Sequence, residues 1–289
     1  MILVTGASGN VGGSVLRELL RIGAPVRGIF RSQHEAVKAP AGVEAVIADF
    51  ADRASLDRAL EGIDRVFLVC SPIPQLVELE SNVVAACRDH GIRYLVQNSA
   101  YGAGLFDKSF PSWHFEVEQR VRASGIPATI LRPESFMQNI TSFYAGTIAS
   151  DGAFYVAAGE ARIAFVDVRD IAAVAAAVLT SEGHAGETYT LTGGEALSYG
   201  DVAERISRLL GAPVRYVGIT PEQSRQAMSG LGMPAWQVDA LLELQSLYTD
   251  GPGATVTNDV AKVLGREPIR FDQFLNDYAA SFAVQPTTA

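Results

Sequence analysis

"VTGASGNVGG", residues 4–13, decides how the rest of the chain is read. An apolar run, "MILVT", leads into it and a helical pattern, "NVGGSVLRELLRIG", leads out of it. Gly6, Gly9 and Gly12 thus stand three residues apart across a strand-to-helix turn. Glycine lets the backbone turn sharply and approach a phosphate, and the helix start that follows offers free N–H donors and a partial positive charge. In this context the turn predicts a dinucleotide cradle formed by Gly6, Ser8, Gly9, Asn10, Val11 and Gly12.

Outward from the turn, strand and helix patterns alternate to about Arg132. "PVRGIFR", "GVEAVIADF", "DRVFLVCS", "IRYLVQNSA" and "PATILRP" read as further strands, separated by helical stretches such as "ASLDRALEG", "QLVELESNVVAACRDHG" and "HFEVEQRVRASG". This rhythm predicts an α/β fold, a doubly wound and mostly parallel sheet with helices on both faces. Beyond Arg132 the rhythm loosens. "SFMQNITSFYAGTIASDG", "RDIAAVAAAVLTSEG", "SYGDVAERISRLLG" and "PAWQVDALLELQSLYTDG" read as helices, "IAFVDV" and "ETYTLTGG" as strands. Ser198 and Thr220 are expected helix caps, as is Asp52 earlier in the chain. The expected organisation is a nucleotide-binding domain over residues 1–132, joined by later segments at about 163–192, and a smaller, mainly helical lobe over 133–289. The tail "AVQPTTA" is expected to be loose.

Composition narrows the function classes. The chain has 289 residues, 48% apolar and 19% charged, with a net charge of −9 and no run of Lys or Arg, which argues against a nucleic-acid partner. No apolar run is long enough for a membrane span, and Met1 leads straight into a strand, so the expected location is the cytoplasm. Cys70 and Cys87 sit in apolar or helical runs and read as buried free thiols. Oligomeric state is not legible.

The end of the second strand bears on which nucleotide binds. Arg31 stands where an acidic residue would hold the ribose 2′-OH of NAD, and a guanidinium there favours the 2′-phosphate of NADP(H), with NAD as the alternative. Asp49 and Phe50 follow the third strand, where adenine would lie; Asp49 reads either as an adenine contact or as a turn residue. Ser71 and Pro72 follow the fourth strand, where the chain passes the centre of the cofactor. "DVRD" reads as a helix start capped by Asp170 rather than as a metal site, and no metal is expected.

"TGASGNVGG", "ADFADRASLDRAL", "HFEVEQRVRASGIPATILRPESFMQN", "FVDVRDIAAVAAAVL" and "ETYTLTGGEALSYGDVAERIS" together resemble the NmrA-like atypical short-chain dehydrogenases, a branch that includes bacterial NADPH-quinone reductases and triphenylmethane-dye reductases. The resemblance implies a Rossmann-like cofactor-binding domain, a small C-terminal substrate lobe and a cleft between them. Ordinary members of the superfamily carry a Tyr that donates a proton and a Lys four residues later. Here those places hold Phe110 and His114, so the usual pair is absent. The quinone- and dye-reductase members resemble this chain in having His there, which implies that reduction survives the loss.

Quinones and triarylmethyl cations accept hydride readily and need little help from a buried acid, so positioning can carry the catalysis. His114 is expected to hold the cofactor ribose or to face the cleft as a donor. Ser99 and Tyr101, at the end of the fifth strand, are the further catalytic candidates, and Tyr101 is the nearby phenol that could replace the missing one. By family likeness the segment with Pro133, Phe136, Met137 and Asn139 is expected by the nicotinamide and substrate, and Tyr101, Trp113 and Tyr144, with Phe143, are the further substrate-site candidates. The favoured function is NAD(P)H-dependent hydride transfer to a quinone-like or polycyclic aromatic acceptor. The alternatives are a tailoring monooxygenase for an aromatic polyketide-type substrate and a non-catalytic NAD(P) sensor.

Overall fold

The computed structural model describes residues 1–105, 109–250 and 253–282; the expected loose tail lies outside them. In chain order the first elements are β1 (Ile2–Val4), α1 (Asn10–Arg21), β2 (Val26–Phe30), α2 (Gln33–Ala36), β3 (Glu44–Ile47), α3 (Arg53–Leu60), β4 (Arg65–Leu68), α4 (Leu76–Asp89), β5 (Tyr94–Asn98), α5 (Ser109–Ala123) and β6 (Ala128–Pro133). Then come α6 (Gln138–Asp151), β7 (Ala153–Val156), β8 (Arg162–Ile163), α7 (Val168–Thr180), β9 (Thr188–Leu191), β10 (Leu197–Ser198), α8 (Tyr199–Leu210) and β11 (Arg215–Gly218). Helices α9 (Pro221–Gly230), α10 (Ala235–Asp250), α11 (Asp259–Leu264) and α12 (Phe271–Asp277) follow. None of the described helices is long and apolar enough to cross a membrane.

The chain forms two compact units. The first comprises Met1–Pro133, Val168–Leu191 and Asp259–Arg266. Its sheet has seven strands in the order β3-β2-β1-β4-β5-β6-β9, and every pairing in it is parallel. The order reverses between β1 and β4, and in such sheets ligands bind at the carboxyl edge beside that switch point. Because the strands run parallel, the segments after β1 to β6 all emerge at this one edge. Apolar side chains cover both faces, as parallel strands require. Leu3, Val66, Leu68, Leu95 and Ile130 of the strands pack with Leu56, Leu60, Leu76 and Val83 of α3 and α4. Helix α1 packs on α7 across the other face.

The second unit comprises Glu134–Asp167, Thr192–Asn258 and Glu267–Ala289. Two small sheets, β7 with β11 and β8 with β10, accompany its helices. Its core joins Ile140, Phe154, Phe165, Val202, Ile206 and Phe274. Ser198 and Thr220 each form a reciprocal capping box, with Asp201 and Gln223. The stretch "IAFVDV" departs from its strand pattern: only Ile163 stays in β8, because Ala164 N–H bonds the Gly253 carbonyl and Val166 N–H bonds that of Ser135. Asp170 also departs from its expected capping role. It lies inside the first turn of α7, in the first unit, fully buried, and pairs with Arg266 of the same unit at 2.8 Å.

Candidate functional site

The glycine turn begins where β1 ends. The Thr5 hydroxyl donates to the Val69 carbonyl at 2.8 Å and accepts from the Val69 N–H at 2.7 Å, which ties the end of β1 to the end of β4. Gly6 then takes a left-handed φ of +55°, and a Cβ there would sit 3.0 Å from Val69. At Gly12 a Cβ would sit 2.3 Å from the Gly6 carbonyl oxygen and 2.6 Å from that of Thr5, so only glycine fits this packing of helix on turn. Gly9 is the N-cap of α1, and no side chain caps the helix. The first N–H groups of α1, at Asn10, Val11 and Gly12, therefore remain available to an anion. Ser8, Gly9 and Asn10 are exposed at the turn, whereas Val11 and Gly12 are buried and can offer only backbone. These features fit the pyrophosphate of a dinucleotide.

Arg31 follows β2 with its side chain 82% exposed. The Glu35 carboxylate stands beside it, accepting from Ser8 Oγ at 3.3 Å, from the Arg31 backbone N–H at 3.1 Å and from Arg31 Nη2 at 3.4 Å. Sequence reasoning missed Glu35. Asp49 is exposed at the same edge and accepts the Ala51 N–H at 2.9 Å, which makes it a turn residue with lone pairs to spare. Phe50 packs its ring against the core, and its carbonyl accepts from Asn82. Ser71 and Pro72 are exposed after β4. Burial pushes the thiols of Cys70 and Cys87 up to about 12, so neither is a nucleophile at neutral pH.

After β5 the ladder with β6 continues for two more bonds: Ser99 N–H to the Leu131 carbonyl, and Tyr101 N–H to the Pro133 carbonyl at 2.9 Å. Ser99, Tyr101 and Pro133 thus stand together at the carboxyl edge. Tyr101 is half-buried, but Ser99 is only 2% exposed and donates its hydroxyl to Glu118 at 2.6 Å. Arg132 donates to the same carboxylate at 2.8 and 2.6 Å. Ser99 is therefore part of a buried ion cluster that braces α5 against β5 and β6. Glu118 and Arg132 were not singled out from sequence. The signal was present: His114, Val117, Glu118 and Val121 fall at helical spacing, which places Glu118 on the inward face of α5.

His114 lies on that inward face, 6% exposed, and its Nδ1 has no hydrogen-bond partner. Burial lowers its pKa to about 4, outweighing the opposing attraction of Glu118. At neutral pH the imidazole is uncharged, so it can hold a hydrogen bond but cannot supply the positive charge of a lysine. Phe110 packs edge-on against Trp113, with ring centroids 5.5 Å apart, and Trp113 packs against the core of the first unit.

In the second unit, Phe136 bridges Val166, and Met137 is 2% exposed. Met137 helps line a cavity of about 250 Å³ with Phe165, Leu197, Arg270 and Phe271. Asn139 donates to Ser135 at 3.4 Å, and Phe143 is 60% exposed. Tyr144 stacks on Phe154 at 5.3 Å and hydrogen-bonds Tyr199, so its ring belongs to the aromatic core of this unit. Glu134, which directly follows Pro133, is 1% exposed; burial raises its carboxyl to about 8, and the Tyr248 hydroxyl hydrogen-bonds it. No group of three or more potential metal ligands occurs among the described residues.

The chain resembles several known proteins. The chain is 38% identical over 284 residues to the NAD(P)H azoreductase of Xenophilus azovorans, covering 98% of this chain and 99% of the other. It is 37% identical over 285 residues to the (4-alkanoyl-5-oxo-2,5-dihydrofuran-3-yl)methyl phosphate reductase of Streptomyces griseus, covering 98% and 99%. Among solved structures, the NADPH-dependent quinone oxidoreductase of Escherichia coli, complexed with NADPH, superposes with a TM-score of 0.88 at 27% identity, covering 96% of this chain and all of the other. The NmrA-like family pattern matches residues 1–275, and the chain belongs to the NmrA-like family.

Proposed function

We propose that the chain is an NAD(P)H-dependent reductase that passes hydride to an electron-poor conjugated acceptor such as a quinone or an azo dye, with polycyclic aromatic quinones as the finer expectation. The observation that carries this reading is the carboxyl edge of the seven-stranded sheet. There the uncapped start of α1, the close-packed glycines and Arg31 follow neighbouring strands, as a phosphorylated dinucleotide requires. The relatives described above are named for reductions, which supports reduction over oxygen insertion.

When bound, the reduced nicotinamide supplies the hydride. Gly6 and Gly12 would let the pyrophosphate approach the α1 N–H groups, and Arg31 would hold the adenine-ribose end. Pro133 and Tyr101, fixed to each other by a backbone hydrogen bond, shape the edge where the reacting ring would lie. The chain does not rebuild the Tyr/Lys pair: Phe110 has no proton to give, and His114 is neutral. An acceptor that spreads the incoming charge over a conjugated system removes the need for that pair. Holding donor and acceptor in register is then the main catalytic contribution. Tyr101 is the phenol left at this edge to donate a proton to a reduced acceptor.

The test is NADPH oxidation by the purified chain with a small panel of quinones and azo dyes, first without oxygen and then in air. Enzyme-dependent loss of NADPH under anaerobic conditions is the expected result. Loss only in air contradicts hydride transfer to the acceptor, and tight binding without any loss favours a sensor.

A further inference from the structure

The anion-binding corner beside the glycine turn is filled by one of the chain's own carboxylates. Three donors converge on Glu35: the Ser8 hydroxyl, the Arg31 backbone N–H and the Arg31 guanidinium, at 3.3, 3.1 and 3.4 Å. They come from two segments, the glycine turn and the end of β2, that meet only through the fold. Hydroxyl, amide and guanidinium are also what a phosphate on the adenine ribose would bind. The local structure aims Glu35 at this corner. Ser32 caps the start of α2 by accepting the Glu35 N–H, and the Glu35 side chain then reaches back to the Arg31 amide. That amide is the largest influence holding the Glu35 carboxyl below its ordinary value, so it is charged at neutral pH.

We propose that Glu35 is a specificity-determining residue, a built-in competitor for the 2′-phosphate that narrows the preference for NADPH set by Arg31 and lets the site take NADH as well. The proposal rests on the reading that this edge holds a nicotinamide dinucleotide. A 2′-phosphate must displace Glu35 from its three donors or stay beside a like charge, and either costs affinity. NADH carries a hydroxyl there instead. A hydroxyl donates to a carboxylate, so Glu35 can remain in place and accept it. Arg31 and Glu35 thus pull in opposite directions, the first toward NADPH and the second toward NADH.

The experiment measures dissociation constants for NADPH and NADH with the full chain, by calorimetry, for wild type, Glu35→Gln, Glu35→Lys and Arg31→Asp. Glu35 lies at the surface, so the variants are expected to fold, and thermal unfolding checks this. The ratio of the NADH to the NADPH constant should rise about tenfold in Glu35→Gln, mostly through tighter NADPH binding, and further in Glu35→Lys. Arg31→Asp should lower it. Ratios unchanged within about twofold in both Glu35 variants, while Arg31→Asp still lowers the ratio, overturn the role of Glu35 and leave the dinucleotide site standing. Failure of wild type to bind either cofactor overturns the dinucleotide reading and this proposal with it.

Discussion

Lowering the pH separates two roles that His114 could have in the proposed reductase, as a neutral hydrogen-bonding group or as a cation. With its pKa held at about 4 by burial, only about one molecule in a thousand carries the imidazolium at pH 7. The folded state keeps the ring neutral, whereas the unfolded chain protonates it at the ordinary value of 6.5. A depressed folded pKa gives stability that is fully present above 6.5 and is lost as pH falls toward 4. Each pH unit below 6.5 removes roughly 1.4 kcal/mol, so the loss attributable to His114 at pH 5 is about 2 kcal/mol. Urea unfolding of wild type and His114→Gln at pH 7 and pH 5 measures this difference, because glutamine keeps a hydrogen-bonding head but does not titrate. The same account predicts that NADH affinity is flat between pH 5.5 and 8.5, to within about twofold. NADH is the appropriate ligand because it lacks the 2′-phosphate, which itself titrates near pH 6. If NADH binding instead weakened about tenfold as pH rose through 6.5, and lost that dependence in His114→Gln, the imidazolium would be the replacement for lysine and the reasoning from burial would be wrong.

Three further substitutions probe the frame of the site. Gly12→Ala places a methyl 2.3 Å from a backbone oxygen and must push α1 off the turn; it should abolish measurable NADPH binding in a fluorescence titration and destabilise the chain by about 1–3 kcal/mol, whereas wild-type affinity would refute the close-packing argument. Glu80 is fully buried in α4, and burial raises its carboxyl from 4.5 to about 8. A raised folded pKa means that stability is lost as pH climbs from 4.5 through 8, by roughly 3 kcal/mol at pH 7, so Glu80→Gln should raise the melting temperature at pH 8 and lose that advantage below pH 4.5. Glu118→Ala strands the Arg132 guanidinium and should cost about 3–5 kcal/mol in urea unfolding; a loss below about 1 kcal/mol would show that the cluster does not brace α5.

Much of the fold could be read from local pattern. The first six strands, helices α1, α3, α4 and α5 between them, and the caps at Asp52, Ser198 and Thr220 all follow from periodicity and capping chemistry, and the structure has each of them, whereas the sequence reading misses the short helix α2. The features that escaped depend on which segments meet. "ETYTLTGG" is expected to join the nucleotide-binding domain, but nothing local says that it pairs with β6 as the seventh strand. "IAFVDV" has strand-forming residues, yet its backbone bonds loops that lie far away in sequence. Asp170 has the chemistry of a cap, but the partner that fixes it, Arg266, is 96 residues away. Glu80 could have been found, because Leu76, Glu80, Val83 and Cys87 form one face of α4 and the carboxyl sits on that apolar stripe. Of the site, the glycine turn was legible because its spacing is a local property. Glu35 was not, since its significance lies in donors from two segments.

The central claim is hydride transfer by a chain without the Tyr/Lys pair. The most direct measurement is single-turnover oxidation of NADPH deuterated at either the pro-R or the pro-S position of C4, with a quinone and without oxygen. The account predicts a severalfold slowing for one of the two labelled cofactors and none for the other, since a nicotinamide fixed against the sheet edge presents one face to the acceptor. Binding without oxidation, or oxidation at the same rate with both labelled cofactors and with unlabelled NADPH, would contradict it.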